Sequence, residues 1–179
     1  MERKIKRTVI PGQQSVISIL GDREKLEVDI MRIMQILPHR GRMLLLDGAI
    51  ITGGVISGYF KVDDKVCEGH EVLDGKPVFK GSDFCDMAAQ LMGVWAFFAS
   101  DQFLMKLGGV ATRYEQAEFK RPTVPNEMLI MEIKSEDLEA MIVENNRGKR
   151  VIYLTGMDFV ARVGDDIRAT VLSVEAVAK

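Results

Sequence analysis

Between Phe84 and Phe98 the chain reads FCDMAAQLMGVWAFF, an apolar run whose only polar side chains are Asp86 and Gln90. A helix with apolar residues on nearly every side needs cover on nearly every side. The bilayer is excluded as that cover, because the run is shorter than the roughly 20 residues a membrane span needs, and Asp83, Asp86 and Gln90 fall within or beside it. The run therefore predicts a buried central helix. One curved sheet covers a helix on one side only, so a second copy of the chain is expected to supply the rest.

The flanking sequence supplies the strands. With 179 residues, 47% of them hydrophobic, the chain is long enough for one domain with a real core and short for two. Ahead of the helix, MLLLDGAII and VISGYFKV are joined by Thr52-Gly53-Gly54 and read as an antiparallel hairpin. Behind it, Thr112–Lys120, Met128–Lys134, Arg150–Val163 and Asp166–Ala176 read as strands, the last two joined by a tight turn at Gly164-Asp165. Asp29 is placed to cap a short helix over Ile30–Leu37, which Pro38 stops. Val9 and Ile10 before Pro11-Gly12, and Val16 to Leu20 after it, allow two short N-terminal strands. Asp63 to Gly69 reads as a polar connection, and Ser135 to Arg147 as strand or helical turn followed by loop. One long helix among many antiparallel strands is the α+β class. Residues 1–179 read as a single domain.

Charge and cysteine usage narrow the function classes. A net charge of −2 gives no basic field for nucleic acid or an anionic membrane. Cys67 and Cys85 lack metal-type spacing and are too few for a disulfide framework, so they read as reduced thiols of a cytoplasmic protein. The basic start MERKIKR is followed only by the short run VISIL, which does not make a signal peptide. The eleven methionines indicate adaptable packing rather than a ligand.

The polar residues near the helix are where chemistry can sit. The chain has two histidines. His70 precedes a glycine-punctuated loop ending at Gly81, where Ser82 or Asp83 is placed to cap the helix. Asp86 and Gln90, four residues apart, share a helical face; a polar pair on an apolar helix has to find partners. A carboxyl in an apolar pocket suits a general acid, and free N–H groups at a helix start suit a developing oxyanion. By residue type alone, Asp86 is equally a partner for the helix dipole, His39 a structural histidine at a helix end, Cys85 a packed thiol, and Lys120 and Arg121 solvated strand-end charges. No ligand spacing supports a metal site.

Three segments together resemble one family. ILPHRGRMLLLDGAI, GHEVLDGKPVFKGSDFCDMAAQLMGV and AEFKRPTVPNEM are similar, in the same order, to ILPHR-x-x-x-LLLD, GHF-x-G-x-P-x-x-PG with its following helix, and F-[KR]-R-P-V-x-P-G-D of the β-hydroxyacyl-acyl-carrier-protein dehydratases. The resemblance runs from Asp29 to near Glu175. It implies a hotdog fold, an antiparallel sheet wrapped around a long central helix, and a homodimer or higher even oligomer with the active site between chains. It assigns His70 as base and Asp86 as acid on opposite subunits, the Gly81 N–H to the thioester carbonyl, and Gln90 to orienting the carboxylate. Lys120 and Arg121 would lie at the tunnel mouth, where an acyl carrier protein or a phosphopantetheine phosphate docks. The implied reaction is dehydration of 3-hydroxyacyl thioesters of acyl carrier protein or coenzyme A, in fatty-acid or related acyl synthesis, with no metal or organic cofactor.

The chain departs from that pattern in places. Glu71-Val72-Leu73 stands where the family has Phe-Pro-Gly, and Phe79-Lys80 where it has Met-Pro. The loop to Gly81 is longer, residues 1–27 have no family counterpart, and Ser135 to Arg147 contains an insertion. Two other readings of the same fold are a hotdog acyl thioesterase and a non-catalytic acyl-binding protein; the presence of both His70 and Asp86 argues against each.

Overall fold

The structure is a computed structural model that describes residues 6–11, 20, 24–71, 74–99, 109–137, 139–144 and 150–178. The strands are β1 (Lys6–Pro11), β2 (Lys25–Asp29), β3 (Gly48–Thr52), β4 (Val55–Lys61), β5 (Gly109–Arg113), β6 (Gln116–Phe119), β7 (Met128–Lys134), β8 (Glu139–Glu144), β9 (Arg150–Val163) and β10 (Asp166–Ala178). The helices are α1 (Ile30–Ile36), the short α2 (Asp64–Cys67) and the long α3 (Gly81–Ala99). All ten strands form one antiparallel sheet in the order β1-β8-β9-β7-β4-β3-β2, with β10 on the other edge of β9 and β5 and β6 on β10. The sheet wraps α3, the hotdog arrangement.

Side-chain alternation explains which face of the sheet meets the helix. Successive strand residues point to opposite faces. In β4, Ile56, Gly58 and Phe60 turn inward; in β7, Leu129, Met131 and Ile133 do. With Val171 and Val174 of β10, they share one core cluster with Met87, Leu91, Met92 and Trp95 of α3, all essentially without exposed surface. Burying each such side chain contributes roughly 1.5–3 kcal/mol. The contact is closest at Gly58, where a Cβ would lie 2.5 Å from Leu46 Cδ2 and 3.1 Å from Leu91 Cδ1.

The cover on α3 is incomplete along one line. Ser82 and Asp86 are exposed, and Ala89, Gly93 and Phe97 are only partly buried. Their spacing of four, three, four and four residues places them in one stripe along the helix. Within the single chain the polar pair parts: Gln90 is 2% exposed, whereas Asp86 sits on the open stripe. A rotation of about 40° separates positions four apart, enough to turn Gln90 into the protein and leave Asp86 outside.

Gln90 holds the segment before β3. Its side-chain oxygen accepts from Leu45 N–H at 2.9 Å, and its Nε2 donates to Met43 O at 2.9 Å. These bonds explain why MLLLDGAII is not strand from its start. Gly41–Met43 forms a single 3₁₀ turn, Leu44 to Leu46 pass buried beneath the helix, and β3 begins only at Gly48.

Other boundaries also differ from the sequence reading. Asp29 caps α1 as expected, accepting from Arg32 N–H at 2.8 Å. The Asp63–Gly69 connection contains α2, capped by the Asp63 side chain on Val66 N–H. α3 starts at Gly81, so Ser82 and Asp83 lie inside its first turn rather than at the cap. Ser135–Asp137 is a 3₁₀ turn and β8 follows it, so β7 and β8 lie in succession along the same edge of β9. The expected strand Thr112–Lys120 is broken between β5 and β6 at Tyr114-Glu115. There β10 bulges at Ser173, whose φ is 50°. β1 pairs with β8; the second expected N-terminal strand, over residues 16–20, lies largely outside the described residues.

Two substitutions test this packing. Gly58→Ala is expected to destabilise the fold by about 1–3 kcal/mol in denaturant unfolding, because Leu46 and Leu91 are fully buried and have little room to move. Gln90→Leu leaves the Met43 carbonyl and the Leu45 N–H without their partner and is expected to cost about 2–5 kcal/mol. Unchanged stability in either variant would contradict the corresponding contact.

Candidate active site

His70 is set by backbone bonds on both sides. α2 ends at Cys67; two residues on, Gly69 has a φ of +73° that favours glycine, and His70 N–H donates to Cys67 O at 3.0 Å. Across the following loop, Val78 N–H donates to His70 O at 3.0 Å, and Glu71 pairs with Pro77. The His70 Nδ1 lies 3.2 Å from Val78 O. A carbonyl only accepts, so the bond requires the proton on Nδ1 and leaves the Nε2 lone pair free. Asp74 and Gly75, both at positive φ, lie at the tip of this loop. The longer loop is thus tied off at its base by the bonds between His70 and Val78.

From Val78 the chain enters the helix through an aromatic cluster. Phe79 N–H donates to Thr123 O at 2.8 Å. The Phe79 ring meets Phe84 edge-on at 4.9 Å and Phe60 at 6.1 Å, and Phe84 meets Phe119 at 5.9 Å. Phe119, 52% exposed, lies over Gly81 so closely that a Cβ there would be 2.9 Å from its ring. Gly81 therefore opens α3 beneath an exposed aromatic ring, with the free N–H groups of the first helical turn alongside.

Each titratable group near this helix has an identifiable environment. Burial raises the Asp83 carboxyl above the usual carboxylate range, against the pull of Lys80; Asp86 adds to the rise, and Ser82 and His70 oppose it. Burial pushes the Cys67 thiol up to about 11, with Asp63, Asp64 and Asp83 adding to it. Burial also raises Cys85, with Asp86 adding. Both thiols therefore hold their protons near neutral pH and make poor nucleophiles. Tyr114 donates its hydroxyl to Cys85 O at 3.3 Å; burial, then Asp86 and Cys85, push its phenol up to about 12. Burial lowers the His39 imidazole against the attraction of Asp86, and Arg40 lowers it further.

The sequence-predicted residues thus divide into groups. His70 lies near the start of α3, within electrostatic reach of the Asp83 carboxyl of its own chain, and Gly81 opens the same helix. Asp86 lies on the exposed stripe, acting on His39 and Tyr114 of its own chain. Gln90 spends its oxygen and a nitrogen on the loop backbone, a different task from orienting the carboxylate. Lys120 and Arg121 follow Phe119 and are exposed; Lys120 pairs with Glu118 at 3.7 Å and Arg121 with Asp166 at 3.1 Å. His39 does not act as the backbone-bonding group at the end of α1. Arg40 does, donating to the carbonyls of Met34 and Leu37 at 2.7 Å and of His39 at 2.6 Å. An Arg just past a helix end signals that role in sequence. Tyr114 carries no such signal, because it reaches α3 only through the break between β5 and β6.

Among the described residues, no group of three or more His, Cys, Asp and Glu side chains has the arrangement to hold a metal ion. No described helix is long and apolar enough to cross a membrane.

No protein-family model matches the chain. Curated relatives do. The chain is 32% identical over 126 residues to the 3-hydroxyacyl-[acyl-carrier-protein] dehydratase FabZ of Bordetella petrii, covering 65% of this chain and 82% of that protein. It is 35% identical over 116 residues to the FabZ of Clostridium acetobutylicum, covering 61% and 77%. Among solved structures, the dehydratase heterocomplex ApeI:P from Xenorhabdus doucetiae superposes with a TM-score of 0.53 at 15% identity, covering 82% of this chain and 90% of that one. That likeness establishes the fold. With relatives above 30% identity matched over more than three-quarters of their length, the chain belongs to the FabZ family of 3-hydroxyacyl-[acyl-carrier-protein] dehydratases.

Proposed function

We propose that this protein removes water from 3-hydroxyacyl thioesters, carried on acyl carrier protein or coenzyme A, to give trans-2-enoyl thioesters in fatty-acid or related acyl synthesis. The observation that carries the reading is an exposed carboxylate, Asp86, on the open stripe of a largely buried helix whose first turn lies near a histidine with a free Nε2.

The site is completed by a second copy of the chain. The open stripe through Ser82, Asp86, Ala89, Gly93 and Phe97 is the face a partner covers, giving a homodimer or a higher even oligomer. Small residues at Ala89 and Gly93 let another backbone approach. Covering the stripe brings Asp86 against the partner's catalytic loop, so each site takes its base from one subunit and its acid from the other.

In each site the Gly81 N–H, at the positive end of the helix dipole, holds the thioester carbonyl and the negative charge it gains. His70 Nε2 removes the proton from the carbon α to that carbonyl. The electron pair released forms the Cα–Cβ double bond as the Cβ–O bond breaks, and protonated Asp86 gives its proton to the departing hydroxyl, which leaves as water. The cycle closes when the proton on Nε2 returns to Asp86, directly or through that water. No redox change occurs, and neither a metal nor an organic cofactor is needed. Gln90 serves by fixing the Met43–Leu45 segment against α3. Lys120 and Arg121, beyond the ring of Phe119, receive the carrier's phosphate or acidic surface. The protein is cytoplasmic and reads as one domain, in which residues 1–27 have no counterpart in the family's motifs.

Incubation with a 3-hydroxyacyl thioester is expected to give reversible enoyl formation. His70→Asn and Asp86→Asn are each expected to lower kcat by about 10²–10⁴-fold with unfolding midpoints unchanged. Release of free thiol from a saturated acyl thioester would support hydrolysis instead. Neither product, across several chain lengths and both carriers, would overturn the enzymatic reading.

A further inference from the structure

The dehydration scheme uses the segment that follows Phe119 only at Lys120 and Arg121, yet its far end holds the least exposed ion pair among the described residues. Arg168 of β10 and Glu127 meet at 2.7 Å, with side chains 13% and 24% exposed; in every other described pair both side chains are at least 36% exposed. The two halves of this pair grip one short stretch of backbone. Arg168 donates from one guanidinium nitrogen to Pro122 O and from the other to Glu127. The second carboxylate oxygen of Glu127 accepts from Val124 N–H at 2.9 Å. The Arg168 carbonyl accepts from Lys120 N–H at 2.8 Å and the Glu127 carbonyl from Val62 N–H at 3.0 Å, so both members are also tied by their own backbones. Between Pro122 and Val124 stands Thr123, with no exposed surface.

Thr123 is where this clamp reaches the site. Its carbonyl accepts from Phe79 N–H at 2.8 Å. The C=O of that same peptide unit is the Val78 carbonyl, which accepts from His70 Nδ1–H at 3.2 Å. A peptide unit is planar and stiff, so its N–H cannot turn without turning its C=O. One buried peptide thus joins the His70 ring to Thr123. We propose that Arg168 and Glu127 are positioning residues for His70: the pair fixes the Thr123 carbonyl, that carbonyl fixes the Val78–Phe79 peptide, and the peptide holds Nδ1 and so aims Nε2. The inference rests on the reading of His70 as base and adds the groups that direct it.

Stability alone does not call for charges here. Taking an ion pair out of water is costly, and well-packed apolar residues in its place are often no less stable. What apolar residues lack is a directional bond to Pro122 O and to Val124 N–H.

That difference makes the test. In Arg168→Met/Glu127→Leu, which removes both charges together, the unfolding midpoint is expected to stay close to wild type. Amide hydrogen exchange of Phe79, followed by nuclear magnetic resonance, is expected to quicken at least about tenfold, while Leu91 and Met92 of α3 keep their rates. With a 3-hydroxyacyl thioester, kcat is expected to fall about tenfold or more with KM changed less than about twofold. Arg168→Lys keeps the charge but loses the planar fork; it is expected to move both readouts in the same direction, and it serves where the double variant does not fold. Phe79 exchange at the wild-type rate would overturn the proposal. Exchange that rises equally at Phe79, Leu91 and Met92, or a quickened Phe79 with kcat unchanged, would make the pair merely structural and overturn it as well. A wild-type protein inactive on every 3-hydroxyacyl thioester would defeat the dehydratase reading, and the Phe79 rate would then decide the clamp alone.

Discussion

The burial of α3 by a single sheet governs the structure. The helix carries large apolar residues around most of its circumference, and Met87, Leu91, Met92 and Trp95 are buried in the core cluster it shares with β4, β7 and β10. That burial is most of what makes the helix stable, since helices in proteins owe most of their stability to tertiary packing of their apolar faces. A sheet can curl only so far, and the line through Ser82, Asp86, Ala89, Gly93 and Phe97 remains open. The same constraint that builds the core therefore leaves one carboxylate on a surface suited to a partner.

A second constraint places the loops. Gln90 is a buried amide, and its satisfaction by Met43 and Leu45 ties that segment to α3. Arg40 closes the end of α1 on the same segment, and the His70–Val78 bonds tie off the loop before Gly81. Gln90 thus fixes Met43 and Leu45 against α3, Arg40 closes α1, and the bonds between His70 and Val78 close the loop that leads to Gly81. Insertions at the loop tip, where Asp74 and Gly75 turn the chain, leave those anchors untouched.

Much of this was legible in the sequence because it depends on residue type at short range. The Asp29 cap, the hairpin at Thr52-Gly53-Gly54 and the long helix follow from capping chemistry, turn residues and apolar density. The departures arise where long-range partners decide. Leu44 to Leu46 look like strand, yet Gln90, some 45 residues away in sequence, holds this segment off the ladder. Asp86 and Gln90 look like one polar pair, but a modest rotation and the limit of the sheet's cover send one outward and one inward. The proximity of Tyr114 to the Asp86 region comes from tertiary contacts that no local pattern encodes. The two ends of the proposed acid–base pair were visible as residues. Which chain supplies each end depends on the uncovered stripe, and that is a property of the fold.

The most direct test of a site shared between copies is subunit mixing. His70→Asn and Asp86→Asn proteins, each inactive alone, are refolded together in equal amounts, and mixed dimers are verified by mass spectrometry of the intact assembly. A shared site predicts recovery to about one-quarter of wild-type activity, because half of the dimers are mixed and each holds one intact site. Mixed dimers that form but stay as inactive as their parents would contradict the assignment of His70 and Asp86 to opposite sides of one active site.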